Sequence, residues 1–177
     1  LSAADFEADL SRRRSGAKGT TPRKEPDLPD LISGVFNGYT TGAPVTILFK
    51  NTNIKPKDYS QILETPRPGH SDFFAGKKFG GYHDYRGGGH FSGRLTAGIV
   101  AAGVLAKKVI HPVHIQGKLL EAGGNPNIEE AVDKALQDKD SVGGLVEVRA
   151  TGIPQGLGEP FFYKAEAALA HMLFSLP

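Results

Sequence analysis

The sequence predicts an α+β domain in which an antiparallel sheet carries packed helices on one face. Three observations carry this expectation. Two β-rich runs, 31–36 and 44–49, flank Asn37-Gly38, the dipeptide of a tight hairpin turn. The segment 94–110 is apolar nearly all round, the pattern of a buried helix. The remaining elements follow as strand, helix, strand, helix, so the whole order is helix, hairpin, long loop, buried helix, strand, helix, strand, helix.

Each element has a local reason. Ser2 with Asp5 three residues on makes a capping box, and Phe6 and Leu10 fall one turn apart, so a short amphipathic helix opens the chain and runs into Arg12, Arg13 and Arg14. Cations suit a helix C-terminus. Residues 15–30 hold Gly16, Gly19, Pro22, Pro26 and Pro29 and read as loop. The hairpin follows, with Thr40-Thr41-Gly42 able to lengthen its connection. Residues 50–93 carry few apolar runs and many Gly, Pro, His, Arg and Tyr, and read as one long functional loop region. The buried helix of 94–110 packs closely through Gly98 and Gly103. Residues 111–121 are extended. Asn127 with Glu130 starts a helix that puts Ile128, Val132 and Leu136 on one side, 145–151 form a strand, and Pro160 begins a last helix that runs to about Phe174.

The chain has 177 residues, the size of a single domain spanning 1–177. Glycine accounts for 23 of them, nearly twice the usual share of about 7%, which implies many turns or backbone that approaches a ligand closely. The net charge is only +2, which argues against a nucleic-acid binder. No cysteine is present, so disulfide scaffolds, thiolate metal sites and cysteine nucleophiles are excluded, and a reducing cytoplasmic setting fits. No apolar run is long enough for a membrane span. The chain opens on Leu1 with neither an initiator methionine nor a signal peptide, and reads as an internal fragment of something longer.

Three constellations can carry chemistry. Between Ser11 and Lys24 lie Arg12, Arg13, Arg14, Lys18, Arg23 and Lys24 with no acidic residue among them, and the arginine fork suits phosphate and carboxylate. A solvated loop after a helix is the plain alternative. In Pro66-Arg67-Pro68-Gly69-His70-Ser71-Asp72 a stiffened backbone presents an arginine and a histidine, the side chain that exchanges a proton near neutral pH; an ordinary turn is the alternative. In Asp84-Tyr85-Arg86-Gly87-Gly88-Gly89-His90-Phe91-Ser92-Gly93-Arg94, three glycines, a serine and two arginines precede a helix start, an anion cradle by composition, against the alternative of a flexible linker. This is neither a P-loop nor a dinucleotide fingerprint. His70, His83 and His90 match no zinc spacing, so no metal is expected; His111, His114 and His171 read as structural.

Taken in order, these motifs resemble the chorismate synthase family. The matching stretches are RRRSGAKGTTPRKEPD at 12–27, SGVFNGYTTGAPVTILFKN at 33–51, RPGHSDF at 67–73, DYRGGGHFSGRLTA at 84–97, DSVGGLVE at 140–147 and GIPQGLGEP at 152–160. The resemblance implies a cytoplasmic, homotetrameric lyase of the shikimate pathway and aromatic amino acid biosynthesis. That enzyme converts 5-enolpyruvylshikimate 3-phosphate to chorismate and phosphate by anti-1,4-elimination, using reduced FMN in a reaction that is redox-neutral overall. The fold it implies is part of a β-α-β sandwich. By the same resemblance Arg14, Arg23 and Arg67 bind substrate, with Lys18 in the same basic loop. His70 stands near the reduced flavin as catalytic and cofactor-binding residue, and Ser92 and Arg94 bind substrate and the flavin phosphate.

This chain departs from the family pattern in three places. It reads His90-Phe91-Ser92-Gly93-Arg94-Leu95-Thr96 where many members have Arg-Ser-Ser-Ala-Arg-Glu-Thr. The family's opening Phe-Gly-Glu-Ser-His-Gly motif, whose histidine is a proposed acid, is absent, and so are the motifs of its later half. The chain therefore resembles the middle and first half of an enzyme about twice its length, inactive alone. The rival readings are a non-catalytic phosphate-binding module and a basic-loop RNA binder, the latter weakened by the low charge and the lack of stacking aromatics beside the arginines.

Overall fold

The computed structural model describes residues 1–21, 25–52, 55–62 and 64–176. The fold is α+β, with two compact units, Leu1–Leu105 and Ala106–Pro177.

In the first unit, the Ser2 backbone N–H donates to the Asp5 carboxylate at 2.6 Å, closing the capping box. A 3-10 turn, Ala3–Phe6, then leads into α1, Glu7–Arg13. Strands β1, Pro29–Ser33, and β4, Thr46–Phe49, pair antiparallel with Leu31 opposite Ile47, and the register shifts between Leu31 and Ser33. Between them β2, Val35–Phe36, and β3, Tyr39–Thr40, pair around Asn37-Gly38. Both turn residues have positive φ, 49° and 82°, as a type I′ turn requires. The loop between the long strands is thus itself a small hairpin. Alternation along β4 turns Ile47 and Phe49 to one face. There, with Leu31, they pack against a cluster of Phe6 and Leu10 from the first helical segment and Ala101 and Val104 from α3, Thr96–Val109. The cluster fixes the end of α1 beside the start of α3.

The stretch 50–93 is more structured than its composition suggests. It holds a 3-10 turn, Pro56–Tyr59, the seven-residue helix α2, Asp72–Lys78, and a 3-10 segment, Arg86–Phe91, interrupted by left-handed glycines. Helix α3 buries only Ala97, Ala101 and Val104. Among the described residues, nothing lies within 4 Å of where a side chain would start at Gly98 or Gly103. Among the described residues the apolar composition of α3 is therefore buried on one face only.

In the second unit, β5, His114–Ala122, and β6, Gly144–Thr151, form a two-stranded antiparallel ribbon with a register shift between Leu119 and Glu121. Helix α4, Ile128–Asp138, starts at the expected cap, where the Asn127 side chain accepts from the Glu130 N–H. It stops at Lys139, which is left-handed at φ 54°. The last helix begins later than Pro160. A 3-10 turn, Phe161–Tyr163, comes first, and the extended Lys164 separates it from α5, Ala165–Leu173.

Candidate functional site

The candidate site lies in the first unit and draws on three stretches far apart in sequence: the end of α1, the segment 25–27 and the turn ahead of α3. Arg13 follows the buried Phe6 by seven residues, about two helical turns, so it leaves α1 on the packed side. Its Nη1 donates to Asp27 Oδ2 at 2.5 Å, its Nε to Thr96 Oγ1 at 3.2 Å and its Nη2 to the Arg94 carbonyl at 3.1 Å. Arg94 Nη1 donates to Asp27 Oδ1 at 2.9 Å. Each oxygen of a carboxylate with only 1% of its surface exposed therefore faces a different guanidinium. The Asp27 backbone is left-handed at φ 45°, a conformation in which Asp and Asn are over-represented among non-glycine residues.

Around this node opens a cleft of about 470 Å³, a size that suits a small-molecule ligand. Arg13, Asp27, Tyr59, Arg86, Ser92 and Arg94 are among its lining residues. The Ser92 hydroxyl accepts from the Arg94 N–H at 3.3 Å and caps the 3-10 turn Gly93–Leu95 that carries Arg94. Arg86 is exposed and forms a two-bond pair with Asp84, 2.8 Å at each contact, which lowers the Asp84 carboxyl to about 2.

A second cluster stands behind the glycine run. Arg67 donates to Asp72 through Nε at 2.7 Å, Nη2 at 2.9 Å and its backbone N–H at 3.2 Å. His70 Nδ1 lies 2.7 Å from Asp72 Oδ1. The hydrogen bonds from the Arg67 side chain hold the buried Asp72 carboxyl well below the usual carboxylate range, against the opposing effect of burial. Arg67 Nη2 is 3.2 Å from one ring nitrogen of His70 and 3.3 Å from the other, so it sits over the ring and not in line with either lone pair. The Arg67 guanidinium also lies 5.8 Å from the centre of the Tyr59 ring, which connects this cluster to the cleft wall. The glycine run makes that closeness possible. A Cβ on Gly88, at φ 85°, would stand 3.4 Å from the His70 ring, and one on Gly89 would stand 2.5 Å from the Asp84 carbonyl.

The residues expected from sequence divide accordingly. Ser92 and Arg94 line the cleft, while Arg67 and His70 form the second cluster. Arg14 pairs with Glu7 at 2.8 and 2.9 Å and does not line the cleft. Arg23 lies outside the described residues. His90 packs edge-on against Phe79 at 5.3 Å. The sequence put Arg13 in the basic run, Asp72 at the end of the Pro66–Asp72 motif and Asp27 at the end of the 12–27 stretch, but singled out none of the three as a site residue. For the arginines a signal existed: Arg13 follows Phe6 by two turns just as Arg14 follows the exposed Glu7, so helical phase alone separates the inward arginine from the outward one. Asp27 meets Arg94 across 67 residues, a pairing that no local pattern announces.

Comparison with known proteins bears on the same residues. The family model described as chorismate synthase matches residues 1–177. A chorismate synthase of Chitinophaga pinensis is 57% identical over 178 residues, covering 100% of this chain and 54% of that protein. Those of Ignicoccus hospitalis and Thermococcus gammatolerans are each 44% identical, covering 100% and 98% of this chain and 54% and 56% of their own lengths. The chain spans about half the length of these curated relatives. With the match running from the first residue to the last, through the motifs that the fold gathers around the cleft and its neighbouring cluster, the chain belongs to the chorismate synthase family.

Proposed function

We propose that the full-length protein containing this chain eliminates phosphate from 5-enolpyruvylshikimate 3-phosphate to give chorismate. The observation that carries this reading is the meeting of Arg13, Arg94 and Ser92 at one cleft. A substrate with a phosphate and two carboxylates needs guanidinium and hydroxyl donors held together, and arginine matches such oxyanions by its planar fork. In the reaction the C–O bond to phosphate breaks, phosphate leaves with the electron pair, a C6 proton is lost and a new double bond forms.

The family implies reduced FMN. The residues present fit such a group at two points: Ser92 and Arg94 offer a hydroxyl and a cation to a phosphate, and the His70 ring remains partly exposed. When bound, reduced FMN would lend electron density as phosphate departs, with no net redox change. In this reading Ser92 and Arg94 hold anionic oxygens, and Arg67 adds a cation beside His70. Asp72 keeps a proton on His70 Nδ1, which leaves Nε2 as the atom that gives or takes one. The reading carries with it a cytoplasmic homotetramer; among the described residues no helix is long and apolar enough to cross a membrane.

The test is an anaerobic assay of the full-length protein with reduced FMN, following chorismate absorbance. Chorismate is expected, and His70→Ala is expected to lower turnover by about 10²-fold or more, the scale of a lost acid–base group, with a much smaller change in substrate affinity. Phosphate binding without chorismate formation would leave an anion-binding module and overturn the assignment.

A further inference from the structure

The buried carboxylate of Asp27 has no part in the chemistry just described, and by charge alone it works against it. Arg13 and Arg94 bring two positive charges to the cleft wall. Asp27 removes one, and Glu25, 3.6 Å from Arg94 Nη2, opposes the other. A site for a multiply charged anion gains nothing electrostatically from a carboxylate at its base. What Asp27 does supply is geometry. A free arginine side chain populates many rotamers, and fixing it costs entropy when the ligand arrives. Asp27 takes Nη1 of Arg94 at 2.9 Å and Nη1 of Arg13 at 2.5 Å. Arg13 in turn is held by Thr96 Oγ1 and the Arg94 carbonyl. The result is a closed circuit: the carboxylate orients the Arg94 side chain while Arg13 clamps the Arg94 backbone. Nη2 of Arg94 is held more loosely: it donates to the Lys50 carbonyl at a long 3.4 Å and lies 3.6 Å from Glu25 Oε2.

We propose that Asp27 is a positioning residue: it fixes the Arg94 guanidinium toward an oxyanion in the cleft before the ligand binds, a role that rests on the function proposed above. Its effect on binding is then opposite in sign to that of its charge. If Asp27 only neutralised arginines, removing its charge would strengthen anion binding. If it positions Arg94, removing it weakens binding despite the more positive cleft.

The experiment uses the full-length protein. Asp27→Asn is nearly isosteric, and Asn accepts the left-handed backbone. Inorganic phosphate affinity is read by phosphorus NMR, and KM and kcat by the chorismate assay. Asp27→Asn is expected to raise both the phosphate Kd and KM about tenfold, the worth of one charge-assisted hydrogen bond, with kcat changed much less. In an Arg94→Gln background the same substitution is expected to add nothing, because its route of action is already gone. Unchanged or tighter phosphate binding in Asp27→Asn, or effects of Asp27→Asn and Arg94→Gln that multiply, would overturn the proposal. Should Asp27→Asn fail to fold, Asp27→Glu decides the matter: it keeps the charge but displaces it by one carbon. Positioning requires a raised KM there, and a wild-type KM overturns it. A full-length protein that makes no chorismate refutes the function, while the phosphate measurements still judge Asp27.

Discussion

Asp72 ties together Arg67 and His70, the two residues of the second cluster to which the proposed function assigns roles. Its carboxylate collects the Arg67 side chain, the Arg67 backbone and the His70 ring, and these contacts keep it ionised. Because its folded pKa lies below the ordinary 3.8, the unfolded chain binds protons that the folded one does not. The stabilisation is therefore fully present above about pH 4, the unfolded value, and is lost as pH falls toward the folded one. Asp72→Asn is expected to destabilise the full-length protein by roughly 1–2 kcal/mol at neutral pH, a figure held down by the partial exposure of Arg67. Thermal melts across pH check this. The gap in Tm between wild type and variant should be constant above pH 5 and close as the pH drops below 4. A gap that persists unchanged at pH 3 would show that the carboxylate charge is not its source. At this scale the sequence was half legible. Arg67 and His70 announce themselves by the prolines and glycine around them. Asp72 reads only as the closing residue of that stiffened motif until the backbone folds it back under both, at the start of α2.

At the level of elements, the glycine-rich turn does something a linker would not. Gly87, Gly88 and Gly89 all take positive φ, and the backbone they form lets the His70 ring approach Gly88 to within the reach of a methyl group. Gly38, in the hairpin tip, has nearly the same φ, 82° against 85°, and among the described residues nothing lies within 4 Å of where its side chain would start. The pair makes an internal control. Gly88→Ala and Gly38→Ala should each cost roughly 1 kcal/mol of stability through backbone strain. Only Gly88→Ala should also lower chorismate turnover, by about tenfold if it displaces His70 as a misplaced catalytic group does. Equal turnover in the two variants would detach the turn from His70. The elements legible from sequence were those with local codes: the Ser2–Asp5 box, Asn37-Gly38 and the Asn127 cap each sit where the residues require. The stretch 50–93 was opaque because its pieces are short. Helix α2 has seven residues with Phe73 and Phe74 exposed, so it shows no amphipathic period to read.

On the scale of the whole molecule, the exposed apolar surface leads to the last prediction. Cross-strand neighbours in the β5–β6 ribbon share a face, and the register puts Leu119 beside Val146, and Ile115 and Val148 on that same side. Gln116 with Arg149 and Lys118 with Glu147 occupy the other. The apolar side is nonetheless open: Ile115, Leu119, Val146 and Val148 are 41%, 40%, 59% and 61% exposed. A two-stranded ribbon is marginal in water by itself, and an uncovered apolar face invites association. The polypeptide 1–177 produced alone should therefore bind a hydrophobic dye such as ANS and self-associate with rising concentration. Its backbone amides at 114–122 and 144–151 should exchange with solvent faster than those of β1 and β4, which pack on the Phe6–Leu10 cluster. In the full-length protein the same ribbon amides should be protected and the dye should not bind, since the period-2 pattern of the ribbon is that of a sheet with one face buried. Val148→Lys separates the two situations: it should suppress self-association of the isolated polypeptide and destabilise the full-length protein, where a charge would replace a buried valine. A monomeric, dye-silent polypeptide with a protected ribbon, or a full-length protein indifferent to Val148→Lys, would mean that this face is built to meet water.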